Sequence, residues 1–334
     1  MCLYPKLIPN PKYRTSKKRG YYVPKMHDSR LSYVPVACGK CFECRKKKAR
    51  EWNIRLSEDI RHFKAWFITL TIDDTSMNKI MAEMGLESLK HNENSVAGFA
   101  LRRFLERVRK ETKKSLRHWC VTELGEDNDR IHLHGIFFGD KAPDSIIKHW
   151  KYGFVFIGTF VSERTINYIT KYMLKDDIKH REFTGKVFTS AGIGGWYFER
   201  TDWKYNQYKK GDTKETYTYR NGAKAMLPRY YRDKIYSDDE KELLWLEKLD
   251  KGITWVMGEK YRIDEEEYKE AMKYHRQRCR ELHGDNQILW KEKQYWRRIE
   301  RQREAYRKRT KPREYTCEDI NVTTQEFILE TCPF

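Results

Sequence analysis

The run Arg130-Ile131-His132-Leu133-His134-Gly135-Ile136-Phe137-Phe138 sets two imidazoles at i and i+2 among apolar residues. It reads as a buried strand, and side chains at i and i+2 of a strand leave the same face. His132 and His134 therefore project together from a rigid support, an arrangement that can hold one divalent metal through two neutral histidines. Downstream comes Tyr168-Ile-Thr-Lys-Tyr172-Met-Leu-Lys175, with helical periodicity. There Tyr168 and Tyr172 are i, i+4 neighbours, and Lys175 falls on the same face. A metal-holding pair followed by paired phenols points to phosphodiester transfer with tyrosine as the nucleophile.

Two histidines leave a divalent ion under-coordinated, and a carboxylate would complete a set with positions open for substrate oxygens. Glu123 and Glu126 are the candidates. Glu123 is favoured, because its strand pairs through a turn with the histidine strand. Such a site suits magnesium or manganese neutralising a scissile phosphate. Zinc with a bound water is open on ligand type alone, but it would make a hydrolase and leave the tyrosines idle. A phenol, with pKa near 10, attacks poorly until deprotonated or offered a metal-polarised phosphate. Attack would give a phosphotyrosine and free the 3′ hydroxyl, and a covalent link allows later rejoining. Two tyrosines one turn apart could alternate, one holding a DNA end while the other cuts. Lys175 could bind the phosphate or lower a phenol pKa through its charge. Ile166, Ile169 and Met173 point away from Tyr168 and would seat the helix on a sheet.

A second cluster is Cys38-Gly-Lys-Cys41-Phe-Glu-Cys44. Spacing this tight suits metal ligation better than disulfides. Three thiolates fall one short of a closed structural zinc site, and the fourth could come from Cys2, Cys120 or a histidine such as His62. An iron–sulfur cluster fits less well, since residue 48 is Lys where a common spacing wants Cys. The adjacent Arg45-Lys-Lys-Lys48 run could grip phosphates.

The 334 residues carry a net charge of +19, and residues 1–50 alone hold fourteen Lys/Arg against Asp28 and Glu43. Such a field favours polyanions, nucleic acid first. A membrane is disfavoured as a partner: no apolar run approaches a spanning helix, and Met-Cys-Leu-Tyr-Pro-Lys has no signal-peptide core. Reduced cysteines suit a cytoplasm. The 10 Trp, 22 Tyr and 15 Phe, many beside Lys or Arg, supply the stacking and cationic groups of single-strand binding.

Along the chain, residues 1–37 read as an extended basic arm that orders on a partner. The pattern predicts a helix over 45–62, a strand over 65–73, a helix over 97–115 and a strand over 118–124. A polar turn, the histidine strand, a short helix over 143–150, a strand over 154–160 and the tyrosine helix over 162–176 follow. This β-α-β-β-α-β order is a split βαβ (ferredoxin/RRM-like) pattern. The expected fold class is α+β, a central antiparallel sheet with helices on one face. Gly192, Gly194 and Gly195 lack the strand-to-helix context of a phosphate cradle and read as a turn near the site. Residues 38–240 form the expected catalytic domain with its cysteine cluster, and 241–334 a charged helical accessory region with a tail.

His132-Leu-His134 with Tyr168-x-x-x-Tyr172-x-x-Lys175 resembles the His-hydrophobic-His (HUH) endonucleases, and within them the two-tyrosine replication initiators of small single-stranded DNA phages. Further pieces narrow the resemblance to the gokushovirus-type initiators of the Microviridae. They are Cys38-Gly-x-Cys41-x-x-Cys44-Arg45 with Trp52 and Arg55, Phe67-Ile-Thr-Leu-Thr71, Thr122-Glu-Leu-Gly125, and Leu227-Pro-Arg-Tyr-Tyr-Arg-Asp-Lys234. It runs to about residue 250; the last eighty residues carry no such motif. The resemblance implies a central antiparallel sheet, a site-specific nick at a phage origin, a 5′-phosphotyrosine link and strand closure after one round. It implies His132, His134 and Glu123 as ligands of Mg²⁺ or Mn²⁺, and Tyr168 and Tyr172 as nucleophiles. It also implies single-stranded origin DNA, a host helicase and a host polymerase as partners in the host bacterial cytoplasm. Two other functions compete: a non-catalytic single-strand binding or packaging protein, and a relaxase or transposase of the same superfamily.

Overall fold

A computed structural model describes residues 2–17, 20–125, 129–158, 160–174 and 183–283. In chain order they form β1 (Lys6–Pro9), β2 (Tyr33–Val36), α1 (Phe42–Asp59), β3 (Ala65–Thr71), α2 (Asp74–Glu83), α3 (Glu93–Thr112), β4 (Arg117–Leu124) and β5 (Ile131–Phe138). Then come α4 (Ala142–His149), β6 (Val155–Gly158), α5 (Glu163–Lys171), β7 (Val187–Thr189), β8 (Thr216–Thr218) and β9 (Lys224–Met226). The last are α6 (Arg229–Ile235), α7 (Asp238–Lys251), β10 (Ile253–Val256), β11 (Glu259–Arg262) and α8 (Glu266–His283). Two compact units result, one of residues 46–206 and 215–229, the other of 1–45, 207–214 and 230 onward. Lys175, Glu126 and the segment from 284 onward lie outside the described residues.

The first unit is built on a five-stranded sheet in the order β6-β3-β5-β4-β7, antiparallel throughout. Its first four strands realise the expected split βαβ pattern, and β7 extends the β4 edge. Alternation along each strand divides the apolar side chains between two faces. Ile68, Leu70, Cys120, Leu133 and Phe137 join Val96, Ala97, Ala100, Leu101, Phe104 and Val108 of α3 and Ile146 of α4 in one core. Trp119, Val121, Ile136 and Phe138 join Leu56 of α1 and Ile166 and Ile169 of α5 in the other. The fold is thus α+β, but helices flank both faces rather than one. The reason lies in α1 and α5, which each bring an apolar stripe to the face that carries the histidines. The sequence pattern also passed over α2, whose start is fixed by Asp73 accepting from the Ser76 amide at 2.7 Å, an N-cap.

Between His134 and Ile136, Gly135 sits opposite Cys120 and Ile68. A Cβ there would lie 2.7 Å from Cys120 Cβ and 2.9 Å from the Phe137 ring. Only glycine fits the middle of this strand. At the C-terminal end of α1, Glu58 and Asp59 are fully buried and multiply bonded. Glu58 accepts from Arg61 at 2.8 Å, Arg200 at 2.7 Å and the Tyr217 hydroxyl. Asp59 accepts from Arg117 at 2.8 Å and from the Gly194 amide at 2.7 Å. Gly194 has φ +81°, and a Cβ would strike Arg55 at 2.7 Å. The expected glycine turn is therefore a packed turn held by α1, not a phosphate cradle.

In the second unit the expected extended arm is corrected. Residues 6–9 and 33–36 pair antiparallel as β1 and β2, with Leu3, Tyr4, Leu7 and Leu31 buried. Its cations find partners within the chain: Lys12 reaches Asp239 at 2.7 Å and Glu242 at 2.6 Å, and Arg30 reaches Asp250 at 2.6 Å, all on α7. Sparse apolar residues among many charges hid this, because the acids lie more than two hundred positions away. Helix α7 opens with a Ser237–Glu240 capping box. Strands β10 and β11 form a hairpin turning at Met257 and Gly258, both at positive φ. No helix among the described residues is long and apolar enough to cross a membrane.

Candidate active site

The register of the sheet assembles the candidate ligands. His132 lies opposite Glu123 of β4 and Thr71 of β3, and His134 opposite Val121 and Thr69. Residues 123, 132 and 134 therefore share the face on which α5 packs. Glu123 Oε2 meets His134 Nε2 at 2.8 Å, with both side chains largely buried. The Thr69 hydroxyl lies 3.0 Å from His134 Nδ1 and fixes that ring from behind. The two imidazoles are 5.9 Å apart, centroid to centroid. Burial, reinforced by the neighbouring His134, holds His132 below the ordinary imidazole range, which keeps it neutral and able to ligate at neutral pH.

Helix α5 brings the tyrosines to this face. Ser162 and Thr165 form a reciprocal capping box at its start. Ile166 and Ile169 are fully buried against the sheet and Met173 packs beside them, so Tyr168 and Tyr172 fall on the flank facing the histidines. Tyr172 terminates the helix with its backbone still helical, φ −58° and ψ −25°. Its ring stacks flat on His134, centroids 4.5 Å apart and planes within 1°. Its hydroxyl shares a 2.6 Å hydrogen bond with that of Tyr168. Burial, the Tyr168 hydrogen bond and the charge of Glu123 push the Tyr172 phenol above its ordinary range. Tyr168 is about half exposed, at 52%.

The structure thus brings together His132, His134, Glu123, Tyr168 and Tyr172. Two imidazoles and a carboxylate on one face, one imidazole held neutral and the other already bonded to the carboxylate, fit a hard-to-borderline divalent cation with open positions. The third-ligand choice between Glu123 and Glu126 is one-sided, since Glu126 falls outside the described residues. Thr69 escaped the sequence reading, although its place in Phe67-Ile-Thr-Leu-Thr71 beside the histidine strand was a usable signal. Also unread was an aromatic rim. Phe67 contacts Tyr168, His134 and Phe156 with centroids 6.2, 6.4 and 6.4 Å away. Phe154 and Phe156 are 69% and 50% exposed.

The cysteines are arranged apart from this. Cys2 completes the Cys38, Cys41, Cys44 cluster, and the four sulfurs all lie within 4.8 Å of one another. The other donors considered are engaged elsewhere: Cys120 is in the sheet core, and His62 stacks on Trp196 at 4.5 Å.

No solved structure is a significant match to the chain. Residues 65–177, which include every histidine, tyrosine and glutamate of the site, match the family model for the replication-associated protein ORF2. The replication-associated protein ORF2 of Spiroplasma virus 4 is 26% identical over 250 residues, 65% of this chain and 76% of that one. The replication-associated protein ORF4 of Chlamydia phage 1 is 23% identical over 248 residues, 64% of this chain and 58% of that one, so less than two thirds of its length is spanned. These matches, on the segment that carries the paired histidines and tyrosines, support a Microviridae-type rolling-circle replication initiator.

Proposed function

We propose that the protein is a site-specific single-strand DNA nickase and ligase that opens rolling-circle replication of a small phage genome. The observation that carries this reading is the Tyr172 ring stacked on His134 while its hydroxyl bonds that of Tyr168. A structural aromatic would have no need to present its hydroxyl beside a histidine–carboxylate pair.

His132, His134 and Glu123 are the residues that would hold Mg²⁺ or Mn²⁺. The bound ion supplies positive charge that neutralises both Glu123 and the scissile phosphate and lowers the cost of a phenolate. Thr69 keeps the His134 ring oriented. A phenol oxygen, of Tyr168 or Tyr172, attacks the phosphorus, and the bond to the 3′ oxygen breaks. The phenol proton passes to solvent and the leaving oxygen takes one up. The hydrogen bond between the two hydroxyls lets the neighbouring phenol donate to the attacking oxygen as it gains charge. The products are a 5′-phosphotyrosine and a free 3′ hydroxyl, and attack by a 3′ hydroxyl on that ester reseals the strand. Lys175, by its place in the motif, steadies the phosphate. The exposed Phe154 and Phe156 rings stack bases flanking the scissile step. A host polymerase extends the 3′ end and a host helicase opens the duplex in the bacterial cytoplasm.

The test is cleavage of single-stranded oligonucleotides tiling the cognate origin, with Mn²⁺ or EDTA. Wild type is compared with Tyr168→Phe, Tyr172→Phe and the double variant. Metal-dependent cleavage abolished in the double variant supports the reading. Tight binding without cleavage would replace it with a single-strand binding or packaging role, which the exposed aromatic rim also suits. Cleavage of mobile-element rather than phage-origin sequences would favour a relaxase or transposase.

A further inference from the structure

The four-cysteine cluster takes no part in the chemistry above, and its geometry is specific. Cys2 Sγ lies 3.9 Å from Cys41 Sγ, and Cys38 Sγ lies 3.9 Å from Cys44 Sγ. A disulfide would bring a pair to about 2.0 Å, and neither pair is near that. Four thiolates at ~2.3 Å from one tetrahedral zinc have sulfur–sulfur edges of ~3.8 Å. The two separations are the two opposite edges of such a tetrahedron. A cubane iron–sulfur cluster binds each thiolate to a different iron, so its sulfurs stand much farther apart than these.

The surrounding backbone is arranged for thiolates. The amides of Cys38 and Tyr4 donate to Cys2 Sγ at 3.2 and 3.4 Å, and the Cys41 amide donates to Cys38 Sγ at 3.3 Å. Such bonds orient a ligand and stabilise its charge. Gly39, at φ +76°, allows the tight turn between Cys38 and Cys41. Hydrogen bonding with Cys2 pulls the Cys38 thiol far down and that of Cys41 down to about 7, so thiolates form readily in the cluster.

We propose that Cys2, Cys38, Cys41 and Cys44 bind one Zn²⁺ in a closed, structural tetrathiolate site. Its purpose follows from the packing around it. The buried cluster there is small: Leu3, Tyr4, Cys41, Val256, Tyr268, Met272 and Cys279. It joins the N-terminal residues, the 38–44 loop, the β10–β11 hairpin and α8. Arg276 donates to the Leu3 carbonyl at 2.9 Å while Tyr4 donates to the Arg276 carbonyl at 3.1 Å. So few apolar side chains hold four separate segments weakly, and a metal bond supplies the missing folding energy. Cys279 lies in the same apolar cluster but outside the four-sulfur group, which makes it a natural control.

The experiment uses the full chain, purified without added metal, and needs no DNA. Zinc is measured by mass spectrometry of the digested protein and by colorimetric release during thiol titration with a mercurial. The expected result is one zinc per chain, released as four thiols react, retained in Cys279→Ser and in the His132→Ala/His134→Ala double variant, and lost in Cys2→Ser. Exchange of wild type with Co²⁺ should give the sulfur-to-cobalt charge-transfer and visible bands of tetrahedral tetrathiolate cobalt. That readout decides the matter even if Cys2→Ser fails to fold. Metal-free protein with freely reacting thiols, a coloured iron-containing protein, or zinc that leaves with His132 and His134 instead of Cys2 would each overturn the proposal.

Discussion

Replacing Gly135 by alanine adds one methyl group at the most confined point of the histidine strand. The new Cβ would lie 2.7 Å from Cys120 Cβ, 2.9 Å from Phe137 Cε2 and 3.0 Å from the Trp119 carbonyl oxygen. Ordinary carbon–carbon contact is about 3.5–4.0 Å, so the strands must part by the better part of an ångström. β5 cannot yield easily, because β3 and β4 bond it along both edges. Overpacking of this kind costs about 1–3 kcal/mol, and two obstructing groups that are backbone or Cβ place it near 2–3 kcal/mol. For a unit of this size that lowers the melting temperature by about 4–12 °C. The assay is thermal unfolding by circular dichroism in four proteins: wild type, Gly135→Ala, Cys120→Gly and the double variant. Removing the Cys120 Cβ takes away the nearest obstruction, so Gly135→Ala should cost about 1 kcal/mol less in the Cys120→Gly background. A Gly135→Ala melting temperature within a degree of wild type would refute the packing argument. An equal loss in both backgrounds would refute the assignment of the clash to Cys120.

Thr69→Val keeps the shape of the strand but removes the hydroxyl 3.0 Å from His134 Nδ1; Mn²⁺ affinity, followed by calorimetry, should fall about 10–100-fold with the melting temperature nearly unchanged. Phe156→Ala should weaken single-stranded oligonucleotide binding by about 1–3 kcal/mol in fluorescence anisotropy, and an unchanged affinity would remove the aromatic rim from the account. Burial holds His118 below the ordinary imidazole range, so the unfolded chain takes up its proton first as pH falls. Stability from this residue is therefore intact above about pH 6.5 and declines below it towards the folded-state value; His118→Gln should flatten that part of the stability–pH curve measured by urea unfolding.

The site was legible where local spacing decides geometry. Histidines at i and i+2 could only share a face, and tyrosines at i, i+4 could only share a flank. Glu123 was reachable because a short turn fixes the β4–β5 register, and the structure puts it opposite His132. What escaped depended on partners distant in sequence. Thr69 reaches His134 only through the β3–β5 pairing, sixty-five positions apart. The second helical face exists because α1 and α5 converge on Trp119, Val121 and Ile136. Residues 1–37 looked partnerless because their acids sit on α7, and Cys2 stood out only once the chain had brought it to Cys38, Cys41 and Cys44.

The central claim is that a tyrosine of α5 becomes covalently joined to DNA, and mass spectrometry of the trapped adduct tests it directly. After reaction with an origin oligonucleotide, the protein is treated with nuclease and trypsin. Cleavage after Lys171 separates Tyr168 and Tyr172 into different peptides. The account predicts a metal-dependent nucleotide attached through a 5′ phosphate to one or both of these peptides and to no other. DNA cleaved with both peptides unmodified, or a nucleotide on a tyrosine elsewhere in the chain, would contradict it.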